Sequence, residues 1–71
     1  MTFEKKFPNG RFKFSRTGIL GKGDRVNVYM NGEKIDDFYL DSGERDAIKE
    51  CGASYFENLC NSWYYRYGYD L

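Results

Sequence analysis

The chain has few groups with which to do covalent chemistry, and this limits its function more than any motif does. Histidine is absent, so the commonest general base and metal ligand is missing. Cys51 and Cys60 are the only thiols. A cysteine nucleophile needs a base beside it, and a structural zinc site needs four soft or imidazole ligands; neither set can be assembled from this composition. In a continuous helix the two cysteines would lie about 13.5 Å apart along the axis, far beyond the roughly 7 Å limit on Cα separation in a disulfide. They read as two reduced thiols, with Cys60 a small apolar core residue. Asp36-Asp37 lacks a third ligand or a companion acid, so it reads as a local feature of a strand rather than a metal or acid–base site. Gly18 to Asp24, GILGKGD, is glycine-rich and holds Lys22. A phosphate-binding loop would need Ser or Thr after that lysine and a helix to follow. Gly23 and a strand follow instead. The expectation is a protein that is not an enzyme and uses no cofactor and no metal.

Two features exceed what folding requires. One is the tyrosine cluster Tyr64, Tyr65, Tyr67 and Tyr69. Amphipathic rings of this kind dominate protein interfaces, and they also wrap the edges of tiny domains with their hydroxyls kept wet. The other is a basic, aromatic-flanked opening segment with Lys5, Lys6, Arg11, Lys13, Arg16, Lys22 and Arg25. Formal net charge is zero, yet residues 1–25 hold seven basic groups against two acidic ones and residues 26–71 hold four against nine. Such segregation implies one basic and one acidic face. Basic residues on a sheet can follow phosphates, and nearby rings can stack on bases.

These side chains must be positioned by a small fold. At 71 residues there is room for one domain, 1–71, with one core. Aromatic residues make up 20% of the chain, which favours a packed domain over a disordered tail. Pro8-Asn9-Gly10 is a turn signal, and before it Phe3 and Phe7 sit in a segment with little pattern. Phe12 and Phe14 alternate with Arg11, Lys13 and Ser15, predicting a strand over about 11–19. Val26, Val28 and Met30, the Asn31-Gly32 turn, and Ile35, Phe38 and Leu40 predict a hairpin of strands 25–30 and 33–40. Val28 then faces Ile35, and a bulge at Asp36-Asp37 returns Phe38 and Leu40 to the inner face.

Asp41 or Ser42 caps a helix over about 43–51, with Glu44 at the positive end of its dipole. Ser54 and Glu57 form a capping-box signature for a second helix over about 55–67. Its inner stripe is Phe56, Leu59, Cys60, Trp63 and Tyr67, with Tyr64 at the margin and Tyr65 on the far side. Gly68 stands where a left-handed cap is expected. The predicted fold is α+β: a three-stranded antiparallel meander followed by two short helices packed on one face. The predicted core is Phe12, Phe14, Val26, Val28, Ile35, Phe38, Leu40, Ile48, Phe56, Leu59 and Trp63.

Over residues 11–51 this strand–strand–strand–helix order resembles the DNA readers of plant AP2-type domains and integrase arm-binding domains. The switch at Leu40-Asp41-Ser42-Gly43-Glu44 carries the resemblance, while the AP2 tryptophans have no counterpart in these strands. In size and composition the chain resembles the small stand-alone inhibitors of phages and mobile elements, anti-CRISPR proteins among them, without a shared motif. The first functional expectation is therefore a non-catalytic protein-binding module that blocks a larger partner through Tyr65, Tyr69, Glu33, Asp36 and Asp37. The alternative is a nucleic-acid-binding module using Arg11, Lys13, Arg16 and Arg25. A third is a homo-oligomer formed through the aromatic helix or by edge pairing of the Arg11 strand. No long apolar run or leader is evident, which predicts a cytoplasmic protein with no membrane partner.

Overall fold

A fourth strand opens the sheet, and it corrects the three-stranded expectation. The computed structural model describes residues 1–18 and 23–71. Strands β1 (Thr2–Phe7), β2 (Gly10–Arg16), β3 (Asp24–Met30) and β4 (Glu33–Leu40) pair antiparallel in the order β1-β2-β3-β4, followed by helices α1 (Ser42–Cys51) and α2 (Ala53–Arg66) and a 3₁₀ turn at Gly68–Asp70. The class is α+β. Strand β1 was hidden because Lys5 occupies an inward position between Phe3 and Phe7 and breaks the alternation. Cross-strand pairing runs from Thr2 with Ser15 to Phe7 with Gly10, so Pro8-Asn9 is the turn of a tight hairpin. Strand β2 is thereby interior, and edge pairing by the Arg11 strand is excluded; the free edges belong to β1 and β4. Strand β2 ends at Arg16, and Ile19, Gly21 and Lys22 lie outside the described residues.

Asn31 and Gly32 adopt φ of 51° and 87°, the paired left-handed geometry of a type I′ turn. The side chain of Asn31 also accepts the Arg11 N–H at 3.0 Å, tying this turn to β2. The bulge in β4 lies one residue earlier than the sequence suggests. Tyr29 pairs with Lys34 and Val28 with Asp36, leaving Ile35 as the extra residue. Ile35 therefore leaves the core and is 39% exposed, while Phe38 and Leu40 face inward beside Val26 and Asp24.

Asp41 caps α1 through a complete capping box: its carboxylate accepts the Glu44 N–H at 2.8 Å, and Glu44 accepts the Asp41 N–H at 2.9 Å. The second box does not form. Helix α2 starts directly after Gly52, whose φ of 70° lets the chain turn from one helix into the next. Ser54 is already inside α2 and turns its hydroxyl back to the Cys51 carbonyl at 3.3 Å.

Both helices lie on one face of the sheet. The core comprises Phe7, Phe12, Phe14, Val26, Val28, Leu40, Ile48, Phe56, Cys60, Trp63 and Tyr64, with Phe38 and Leu59 half-buried around it. Tyr64, not Tyr67, completes the inner stripe of α2. Its ring stacks on Phe7 with centroids 3.6 Å apart, and its hydroxyl donates to Asn9 Oδ1 at 2.7 Å. The Asn9 amide in turn donates to the carbonyls of Gly68 and Leu71 at 2.9 and 3.0 Å. This network clasps the first hairpin to the end of the last helix. Tyr67 follows the last helical residue with φ of −127°, so helical spacing no longer governs it, and it is exposed. Gly68 is not a left-handed cap either: it is buried, and its need for glycine is steric.

Candidate functional site

Directly paired residues in an antiparallel sheet share a face. The helix-free face therefore carries Glu4 and Lys6 from β1, Arg11, Lys13 and Ser15 from β2, Arg25, Asn27 and Tyr29 from β3, and Lys34, Asp37 and Tyr39 from β4. Five cations (Lys6, Arg11, Lys13, Arg25, Lys34) meet two carboxylates (Glu4, Asp37), a formal +3. The helical segment 41–71 carries six carboxylates against three cations, a formal −3. Zero net charge thus conceals a molecule with a basic side and an acidic side, an arrangement that gives the protein an oriented electrostatic field.

The ion pairs on this face are loose. Arg11 lies 3.8 Å from Glu4 and Lys34 lies 3.4 Å from Asp37, with Asp37 half-buried and the other three side chains exposed. Such pairs are worth at most about 1 kcal/mol and are readily exchanged for a better anion. Near the turn end of the sheet, Glu4, Arg11, Lys13, Tyr29 and Gly32 line a hollow of about 290 Å³. The Lys13 ammonium sits 5.9 Å from the Tyr29 ring centroid.

Three of the four basic residues singled out from sequence, Arg11, Lys13 and Arg25, come together on this surface. Arg16 does not. It shares the parity of Phe12 and Phe14, points to the helix side, and donates to both carboxylate oxygens of Asp24. That hydrogen bonding holds the Asp24 carboxyl below its ordinary range and raises the Arg16 guanidinium. Tyr29, Tyr39 and Lys34 were missed as members of the face. Alternation of Arg25, Asn27 and Tyr29 with Val26, Val28 and Met30 was the available signal for Tyr29. For Lys34 the signal was the Asn31-Gly32 turn, whose register pairs it with Tyr29 ahead of the bulge, and for Tyr39 its place between the inward Phe38 and Leu40.

The other candidate set is split. Tyr65 and Tyr69 are 65% and 55% exposed and, with Pro8 and Tyr64, border an apolar hollow of about 510 Å³ beside the β1 edge. Glu33, Asp36 and Asp37 belong to β4, the opposite edge. Three strand intervals, about 14 Å, separate the two groups.

The two cysteines differ in access. Burial pushes the Cys60 thiol up to about 12, with Glu57 adding to the shift, so its thiolate is negligible at neutral pH. Cys51 is exposed, and both cysteines are free. A maleimide at pH 7 is expected to label one thiol per native chain, at Cys51, and both after denaturation; mass spectrometry of the labelled peptides checks this, and rapid native labelling of Cys60 would contradict it. Among the described residues no cluster of three or more Asp, Glu or Cys side chains is placed to hold a metal ion, and no helix is long and apolar enough to cross a membrane. Comparison of the chain with protein-family models, curated proteins and solved structures finds no match.

Proposed function

We propose that the chain is a non-catalytic binding module whose helix-free sheet face takes nucleic acid. One observation carries this reading: an uncovered face where five cations outnumber two carboxylates around two tyrosines. Attraction to a phosphate backbone releases condensed counterions, so affinity falls steeply with salt. If all five cations engage a single strand, the loss between 50 and 200 mM salt is roughly a hundredfold. Fluorescence anisotropy with a labelled oligonucleotide at these two salts measures it directly. The double variant Lys13→Glu with Arg25→Glu is expected to abolish binding at 200 mM while leaving the thermal melt within a few degrees, because both side chains face away from the core. Absence of binding at 50 mM, or binding indifferent to the double reversal, overturns the proposal.

A protein-binding reading is favoured by a separate observation, the Pro8–Tyr65–Tyr69 hollow at the β1 edge. Large exposed rings around an apolar depression suit a partner's protruding apolar side chain. The acidic residues Glu33, Asp36 and Asp37 cannot join that contact from the far edge of the sheet, so a partner blocked through this hollow would meet the tyrosines alone. Tyr65→Ala with Tyr69→Ala should abolish partner capture under this reading and leave oligonucleotide binding intact.

A further inference from the structure

We infer that the nucleic acid taken by the sheet is single-stranded, with bases stacked on Tyr29 and Tyr39. This rests on the nucleic-acid reading and adds the form of the ligand to it.

Shape argues first. The major groove of a duplex admits a helix or a two-stranded ribbon, and its width of about 12 Å is less than the roughly 14 Å spanned by four strand axes before side chains are added. A duplex would meet this face only along its phosphate ridges and would leave the tyrosines idle. A single strand presents unstacked bases, and aromatic rings set among cations are what such bases need.

The placement of the rings supports the same ligand. Tyr39 is 63% exposed and is paired directly with Arg25. Tyr29 is half-buried, with Lys13 across from it on β2 and Lys34 on β4. Each ring thus has a cation beside it in register, so a base stacked on the ring keeps its phosphate within reach of a positive charge. Four residues along β3 and one strand across put the two rings about 14 Å apart, far enough for separate nucleotides. The hollow beside Tyr29 extends the surface toward the Asn31-Gly32 turn. Neither ring serves the core: both project from the side opposite Phe14, Val26 and Val28.

The test uses the full chain with three probes: a labelled 15-residue oligodeoxythymidine, a 15-base-pair duplex, and heparin as a base-free polyanion. Each is titrated against the wild type, Tyr39→Ala, Tyr39→Phe and Tyr29→Phe. The single strand is expected to bind about tenfold tighter than the duplex, Tyr39→Ala to lose about tenfold on the single strand alone, and both phenylalanine variants to keep wild-type affinity. Thermal melts establish that Tyr39→Ala is folded, as its exposure demands; Tyr39→Ser serves if it is not. Equal binding of all three probes, or an unchanged affinity in folded Tyr39→Ala, overturns the stacking inference while leaving the polyanion reading standing. No binding of any probe by the wild type at 50 mM salt sinks the nucleic-acid reading, and stacking with it.

Discussion

Gly68→Ala is expected to cost a large share of the protein's stability. A β-carbon at position 68 would stand 2.7 Å from the Tyr64 ring and 3.0 Å from Trp63, with Phe12 at 3.4 Å. Both of the nearest rings are buried and neither is free to withdraw: Tyr64 is stacked on Phe7 and hydrogen-bonded to Asn9, and Trp63 packs against Phe12 and Phe14. The clash can be relieved only by moving the Gly68–Asp70 turn outward, which strains the Asn9 bond to the Gly68 carbonyl. Overpacking of this kind costs about 1–3 kcal/mol, and a core of this size contributes only about 3–5 kcal/mol net. A denaturant melt should therefore show a large fall in midpoint, and a thermal melt a drop of about 5–20 °C. Asn9→Ala should lower stability by a smaller amount through the same clasp. A Gly68→Ala variant as stable as the wild type would mean that the clasp between the first hairpin and the last helix is not formed.

Asp24→Asn should destabilise the fold through charge rather than shape. Asp24 is nearly buried at the start of β3 and is held by the half-buried Arg16 guanidinium. The amide keeps one acceptor but leaves a guanidinium in a poorly solvated site without its counter-charge, a loss of about 2 kcal/mol, below the 3–5 kcal/mol of a fully buried pair because Arg16 still reaches water. The pairing also sets a pH dependence. The folded-state pKa of Asp24 is depressed, so its contribution is complete above the ordinary carboxylate value of about 4 and is lost as pH falls through the lower folded value. Wild type should lose this increment on acidification below about pH 4, and Asp24→Asn should lack it at every pH. Replacing both partners, Arg16→Met with Asp24→Leu, should restore stability to near wild type. Equal stability of Asp24→Asn and wild type at pH 7 would show the ion pair to be energetically idle.

Much of the basic face was legible. Alternation puts Arg11 and Lys13 outside, but the same parity puts Arg16 with Phe12 and Phe14 on the inside, and the expectation that counted Arg16 among the phosphate contacts overlooked it. What alternation could not show is that Asp24 waits there to receive it. The bulge illustrates a finer limit. A parity slip between Ile35 and Phe38 announces that one residue is extra, but not which one. Placing it at Ile35 rather than Asp36-Asp37 exposes Ile35 and sets Asp36 opposite Val28, while Lys34 pairs with Tyr29 on the open face in either register.

The local elements were set by short-range chemistry: the Asn31-Gly32 turn by two residues that tolerate positive φ, the start of α1 by the reciprocal Asp41–Glu44 bonds, and strands β2 and β3 by period-two alternation. Each involves residues close enough in the chain for their types to decide the outcome. Strand β1 and the true inner face of α2 were decided otherwise. Lys5 spoils the pattern of β1, yet its ammonium lies over the Phe7 ring at 5.0 Å and lets the stem cross the edge of the core. Phe7 becomes a core residue only because Tyr64 lies 57 positions away in the sequence and stacks on it. Tyr64 becomes one for the same reason, displacing Tyr67. A helix's own periodicity says which residues share a stripe; how wide a stripe is buried depends on what arrives from elsewhere, and here that is the first hairpin.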